Sequence, residues 1–452
     1  MYITLRGTPK GESTPGAGTE PDARRGTSRR ARIGTTVLGL GTVSLLTDIS
    51  SESVAAVLPL YITLVVGLGP LAFGFIDGLY QGVSAVVRII GGRWADRSDR
   101  PKRVALAGYA LSAATRFGLL AVSGFWAITS VVAVDRLGKG LRTGPRDSLI
   151  ATASDPEHLG RNFGVHRAMD TTGALIGPLL AFAILAMFPI GLLGFQTIFV
   201  FSCAFAVMGV AVLAIAVPDL RRNPRPGNGA VALPAAVRPA WSDLARPGLR
   251  RLLIAAGALS LVTIGDGFIY LAVQDGGQLP PAYFPLLFVG TNLAYLLLAI
   301  PMGNLADRIG RARVFVAGYV LLLGCYLLAM AQVAGPLGLA LVLLLLGAFY
   351  AATDGVLAAL ACRLVPEESR ASGISAAQTV VALARFCASV GFGVLWQFVG
   401  LSAALLVTSL GLVVAIGVAG VLLRVRTTGP REESTAPVAS TGPQDSAGGA
   451  AR

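Results

Sequence analysis

The residues with most chemical capacity in this chain are ionisable side chains set inside long apolar runs. Asp48 and Glu52 lie four apart in LLTDISSESV, a spacing that puts both on one face of a helix. Asp77 and Gln81 repeat the spacing in the next run, with Arg88 toward its far end. Arg116 stands in the middle of a third. Asp135, Lys139, Arg142 and Arg146 follow at intervals of four, three and four, one helical stripe, with Arg136 and Asp147 beside it. His166, Arg167 and Asp170 come next, and the later part of the chain holds Asp266, Asp354 and Arg385. An Asp, Lys or Arg near the bilayer centre costs about 2.5–3.5 kcal/mol on insertion scales, so each needs a partner or a wet cavity. Ion pairing and snorkelling account for Arg88, Arg142, Arg146 and Arg167 near span ends. Asp48, Glu52, Arg116, Asp135 and Arg136 sit deeper and alternate in sign. Desolvation and ion pairing move a carboxyl pKa in opposite directions, so a carboxylate placed this way can take up and release a proton. Asp48 and Glu52 are the first candidates, with Asp77 and Asp170 behind them. Arg116, Asp135, Lys139, Asp266, Asp354 and Arg385 are candidates to line a substrate cavity.

The runs that hold these residues set the class of protein. Of 452 residues, 54% are hydrophobic and 13% charged, about half the charged share of a soluble protein. Mean hydropathy is +0.70, and near-charge-free stretches of about 20 residues recur, the length of a transmembrane helix. Lys and Arg outnumber Asp and Glu 37 to 24, a net charge of +13. The basic residues fall at alternate junctions between spans, so they read as positive-inside topology rather than as a nucleic-acid surface. Cys203, Cys325, Cys362 and Cys387 are scattered through apolar runs as packing residues, and two histidines do not make a multi-His metal site. No cofactor or metal is expected.

Twelve spans are expected at 34–64, 70–91, 104–123, 126–151, 162–187, 195–217, 250–273, 283–305, 314–333, 337–361, 371–397 and 401–423, with Pro59 bending the long first one. This is an all-α integral membrane protein with a bundle at 33–217, a Pro- and Arg-rich linker at 218–249 and a second bundle at 250–424. Residues 1–32 and 425–452 read as disordered tails, the first with a basic end drawn to anionic lipid headgroups. The charged junctions place both termini in the cytoplasm and the chain in the cytoplasmic (inner) membrane.

The two halves carry a matching signature. GRWADRSDRPKR, from Gly92 to Arg103, returns as GNLADRIGRAR from Gly303 to Arg313, 211 residues later. Both resemble the G-x-x-x-D-R-x-G-R-[RK] loop of the major facilitator superfamily. The second copy matches at Gly303, Asp307, Arg308, Gly310 and Arg311. The first keeps Gly92, Asp96, Arg97 and Arg100 but has Asp99 where the family prefers glycine. The resemblance implies two pseudo-symmetric six-helix bundles around a central cavity, with this loop governing exchange between conformations.

Two further motifs follow that resemblance. RLGKG, from Arg136 to Gly140, is similar to the R-x-x-Q-G of proton-linked members, which implies a proton-coupling role for Arg136; Lys139 replaces the glutamine. GALIGPLLA resembles the antiporter motif G-x-x-x-G-P-x-x-G at Gly173, Gly177 and Pro178, with Ala181 in place of the last glycine. The two glycines give a smooth helix face for close contact and the proline permits a bend.

A proton-coupled antiporter exporting a small amphipathic compound is therefore the expectation. The alternative is a proton symporter importing a small organic anion held by the buried basic residues. A lipid-acting membrane enzyme would need an activated nucleophile or a metal set, and neither emerges. The expected partners are a small-molecule substrate, protons and the bilayer, with no nucleic acid and no obligate protein.

Overall fold

The computed structural model describes residues 34–97, 100–155, 158–219, 246–277, 279–332, 335–366 and 370–423. The expected tails and most of the expected linker lie outside these residues. Within them all regular structure is helical, because in hydrocarbon a helix satisfies every backbone N–H and C=O within its own segment. The order is α1 (Thr35–Leu60), α2 (Pro70–Arg97), α3 (Pro101–Ala121), α4 (Phe125–Thr152), α5 (Leu159–Met187) and α6 (Leu192–Ala216). After the linker come α7 (Pro247–Leu261), α8 (Asp266–Asp275), α9 (Phe284–Ile309), α10 (Arg311–Met330), α11 (Gly335–Arg363), α12 (Arg370–Val399) and α13 (Leu401–Leu422). Prolines open α2, α3 and α7, where the missing N–H has no intrahelical partner to lose.

Ten of the described crossings are long and apolar enough to traverse a membrane, with α7 and α8 together forming one. The all-α membrane architecture expected from composition is thus present. Helices α2 and α4, which carry much of the buried charge, fall outside that set of ten.

Packing follows two groups of helices. In the first, α1 lies against α5 and α6, α3 against α4 and α6, and α2 against α4. In the second, α9 packs on α11, α10 on α11 and α13, and α7 on α12 and α13. The groups meet where α2 runs along α12 and α5 along α9. Aromatic pairs mark this seam: Phe73 against Phe268 at 4.7 Å and Phe182 against Tyr283 at 5.3 Å between ring centroids. Both lie toward the ends of α2 and α5 remote from the arginine-rich turn after α2.

The structure alters three local expectations. The repeated polar segments are helical almost throughout: Gly92–Arg97 completes α2 and Gly303–Ile309 completes α9. Helix continues there because the charged ends leave the hydrocarbon while the backbone ladder stays intact. Only Gly310 separates α9 from α10, with φ of +102°, a backbone state that side chains rarely adopt. Pro59 does not simply bend the first span. One π-helical turn, Tyr61–Val65, follows it, and the Thr63 hydroxyl donates to the Pro59 carbonyl at 2.9 Å.

The third correction concerns the span expected at 250–273, which is interrupted. The chain leaves helix after Leu261 and resumes at Asp266, with Gly265 extended at the start of α8. Apolar composition hides such a break, because its cause lies 62 residues beyond Ile264, in α10. The buried Ile264 N–H donates to the Tyr326 hydroxyl at 3.0 Å, and that hydroxyl donates to the Val262 carbonyl at 3.2 Å. Irregular backbone at this depth persists only where protein groups satisfy it. Tyr326→Phe is expected to leave both groups unsatisfied and to destabilise the fold by about 1–3 kcal/mol. Thermal unfolding of the purified protein in detergent checks this, and a melting temperature equal to the parent's would exclude it.

Candidate functional site

The first group of helices contains two linked sets of buried charge. In one, Asp135 of α4, 5% exposed, accepts from Arg116 of α3 at 2.8 Å and from Arg136 on its own helix. The Arg136 guanidinium lies 3.7 Å from the centroid of the Tyr80 ring of α2, a cation–π contact. One carboxylate thus ties α2, α3 and α4 together. The sequence placed Arg116, Asp135 and Arg136 at depth, yet Tyr80 escaped notice; its position three residues after Asp77 was the available signal. A narrow cleft of about 10 Å³ opens beside this set, lined in part by Ser51, Leu58, Tyr80 and Arg116.

The second set joins α1, α4 and α5. Glu52 of α1 faces Lys139 of α4 at 3.7 Å, both partly exposed. Asp170 of α5 pairs with Arg167 at 3.1 Å and with Arg146 of α4 at 3.7 Å. Asp48 of α1 and Asp170 of α5 face each other across the α1–α5 contact. His166 Nε2 and the Ser44 hydroxyl are 2.9 Å apart alongside, and Arg146 donates to the same hydroxyl at 3.4 Å. Asp48, Glu52 and Arg136 therefore have different first neighbours: Asp48 has Asp170, Glu52 has Lys139 and Arg136 has Asp135. Ser44 was invisible as a site residue, since serines in glycine-rich spans are ordinary packing.

The α1–α5 approach is what brings these carboxyls together. A Cβ at Gly173 would stand 2.5 Å from the Leu45 carbonyl and 3.1 Å from the Asp48 Cβ. At Gly177 it would stand 2.8 Å from the Ser53 nitrogen. Both positions are closed by backbone, so the helices touch only because these residues lack side chains. Pro178 follows, buried in the interior of α5.

The second group holds a smaller set. Asp266, in the first turn of α8, accepts from the Tyr350 hydroxyl of α11 at 2.6 Å. Arg385 of α12 lies 5.8 Å from the Tyr350 ring centroid, and Asp354 stands exposed one turn beyond Tyr350. Asp77 joins this set rather than Asp48, accepting from the Ser389 hydroxyl of α12 at 2.6 Å. Phe268 and Tyr270, which follow Asp266 on α8, are fully buried packing; Tyr270 donates to Thr291 at 2.7 Å. In the turn after α9, Arg311 pairs with Asp307 at 2.8 Å and reaches the Ala359 carbonyl of α11 at 3.5 Å, while Arg308 is exposed. Arg100 precedes Pro101 at the start of α3. The side chains of Arg88, Asp96 and Arg97, and the position of Asp99, lie outside the described residues, and Gly92 is placed only by its helix. No group of three or more His, Cys, Asp or Glu suited to a metal occurs among the described residues.

Comparison with known proteins adds a family to this geometry. The model of the Major Facilitator Superfamily matches residues 40–284 and 267–445. An uncharacterised MFS-type transporter of Methanocaldococcus jannaschii is 30% identical over 365 residues, covering 79% of this chain and 87% of that protein. An uncharacterised protein of Mycobacterium tuberculosis is 31% identical over 281 residues, covering 60% of this chain and 65% of that protein. Among solved structures, the nucleoside transporter NupG superposes with a TM-score of 0.70 at 14% identity, covering 86% of this chain and all (100%) of that one. An inward-facing, unoccupied bacterial homologue of the human lysosomal transporter Spinster gives 0.70 at 16% identity, covering 86% and 96%. At these identities the structural likeness speaks for the fold alone.

The glycine contact gives a direct test. Gly173→Leu is expected to separate α1 from α5 and reduce transport by about tenfold or more, with Gly173→Ala between it and the parent. The clash with the Leu45 carbonyl means that even alanine has a cost. Transport by folded Gly173→Leu at the parent rate would exclude a functional role for the contact.

Proposed function

We propose that the chain, which belongs to the major facilitator superfamily and is a multi-pass secondary active transporter with an alternating-access helical bundle, is a proton-coupled antiporter exporting a small amphipathic compound. The observation that carries this reading is the Asp48–Asp170 carboxyl pair at the α1–α5 contact. Two carboxyls that face each other in this way can share one proton between them. Its loss leaves two like charges side by side, a state that favours separation or a new cationic partner. Arg146 and Lys139 stand nearby to take that part. Proton release thus changes what holds α1 to α5, which is how a charge state can bias access. Glu52 is the second carboxylate on this wall, and Arg136 positions Asp135 and Tyr80 rather than meeting Asp48 directly.

In this reading twelve crossings form two bundles of six, at residues 33–217 and 250–424, joined by the linker at 218–249. Both termini lie in the cytoplasm, the chain sits in the cytoplasmic membrane, and the basic N-terminal tail is drawn to anionic headgroups. Residues Gly92, Asp96, Arg97 and Arg100, with Gly303, Asp307, Arg308, Gly310 and Arg311, form the two switch turns. The Asp307–Arg311 pair and its reach to Ala359 support that role for the second turn. Import of a small organic anion by symport is the second reading. It is favoured by the buried Arg142, whose Nη1 lacks a hydrogen-bond partner, and by the two guanidiniums that share one carboxylate at Asp135.

Cells with and without the protein, compared for the compounds they retain, supply the substrate. Collapsing the proton gradient then raises its accumulation for an exporter and lowers it for a symporter. In vesicles with an imposed pH gradient and a proton-sensitive dye, Asp48→Asn is expected to abolish gradient-driven accumulation while permitting exchange down the substrate's own gradient. Undiminished substrate-dependent proton flux in both Asp48→Asn and Asp170→Asn would remove the pair as the carrier.

A further inference from the structure

The seam between α2 and α12 is apolar and closely fitted. Phe75 meets Phe386 of α12 at 6.0 Å, and Phe268 of α8 is wedged beside the seam, 4.7 Å from Phe73 of α2 and 4.9 Å from Phe392 of α12 between ring centroids. A Cβ at Gly74 would lie 3.2 Å from the Gly393 Cα. Into this surface α2 inserts one carboxylate, Asp77. Its contacts cross to two places in the other group, α12 and the start of α8. The Ser389 hydroxyl of α12 donates to it at 2.6 Å. Gly265, at the break before α8, lies so close that a Cβ there would stand 2.8 Å from the Asp77 Cγ. Asp266 and Arg385 are the charged groups that face it. The carboxylate therefore rests beside the N-terminal end of α8, where helix dipoles favour negative charge.

These supports are modest beside what they offset. An ionised carboxylate taken out of water loses hydration that one hydroxyl and one helix end replace only in part. Aromatic stacking draws the two helix groups together, while the charge at position 77 draws water and resists closure. Ser389 and Arg385 are one turn apart on α12, and Gly265 and Asp266 are adjacent. The groups that hold Asp77 thus share their elements with the Asp266–Tyr350–Arg385 set, and movement in that set moves the supports.

We propose that Asp77 is the gating residue of this seam: its carboxylate keeps the closed α2–α12 contact reversible, and the Ser389 hydroxyl, with the α8 terminus, sets how readily it opens. The role rests on alternating access alone and not on proton coupling at Asp48, so either assignment can fail while the other stands.

The seam can be read without substrate or gradient. In the full chain with Cys362 and Cys387 replaced by serine, spin labels at Leu71→Cys and Val399→Cys, both exposed positions, report the separation of α2 and α12. Ser389→Ala leaves a buried charge short of its donor and is expected to raise the long-distance population at least about fivefold. Ser389→Thr keeps the hydroxyl and should give the parent distribution. Asp77→Asn, on its own, should show no more open population than the parent, and added to Ser389→Ala it should return the population toward the parent value. Thermal unfolding of each variant confirms that it is folded. An opening in Asp77→Asn as large as in Ser389→Ala would overturn the proposal by making Asp77 a simple latch. Unchanged distances in Ser389→Ala, or opening in Ser389→Thr equal to that in Ser389→Ala, would overturn it by removing the hydroxyl from the gate.

Discussion

The contact of α1 with α5 across Gly173 and Gly177 is the constraint on which the charged wall depends. Two missing side chains let α1 backbone lie against α5, and only at that separation do Asp48 and Asp170 meet and Ser44 reach His166. Arg146 then closes the arrangement from α4, touching both Asp170 and Ser44. Wider spacing would strand each of these groups in hydrocarbon, where an unpaired charge is costly. The polar wall is therefore a consequence of a small-residue contact as much as of the charges themselves.

The two helix groups handle buried charge differently. In the first, carboxylates and basic groups are closely interleaved, and Asp135 is held from two sides. In the second, Asp266 relies on a tyrosine hydroxyl, and the Arg385 Nε is buried without a hydrogen-bond partner. A carboxylate paired with two guanidiniums fixes neighbouring helices. One held by hydroxyls yields more easily. By this measure Asp135 is a structural tie, while Asp77 and Asp266 sit in places where a modest change of surroundings has a large effect.

Much of this was legible in the sequence. Composition gives the all-α membrane class, the spans fall close to the observed helices, and the deep ionisable residues stand out because hydrocarbon makes them expensive. The doubled G-x-x-x-D-R pattern also pointed to the family. Partnership was not legible. Asp48 and Asp170 are joined by helix packing over 122 residues, and Asp77 and Ser389 over 312, and no local periodicity encodes either. Hydroxyl partners are harder still, since Ser44, Tyr350 and Ser389 look like ordinary span residues until a charge is placed beside them. The interruption before α8 was missed for the same reason, its stabilising group being remote in sequence.

That interruption has a consequence for how the chain is made. Synthesis proceeds from the N-terminus at about 5–20 residues per second, so the backbone at Val262 and Ile264 enters the membrane before Tyr326 has been translated. Until α10 arrives, the exposed N–H and C=O have no tyrosine hydroxyl to bind and must keep water or another polar partner close. The segment from α7 to α8 thus lacks, on its own, the groups that let its broken backbone settle in lipid. The irregular turn between α7 and α8 is therefore completed only once α10 packs against it.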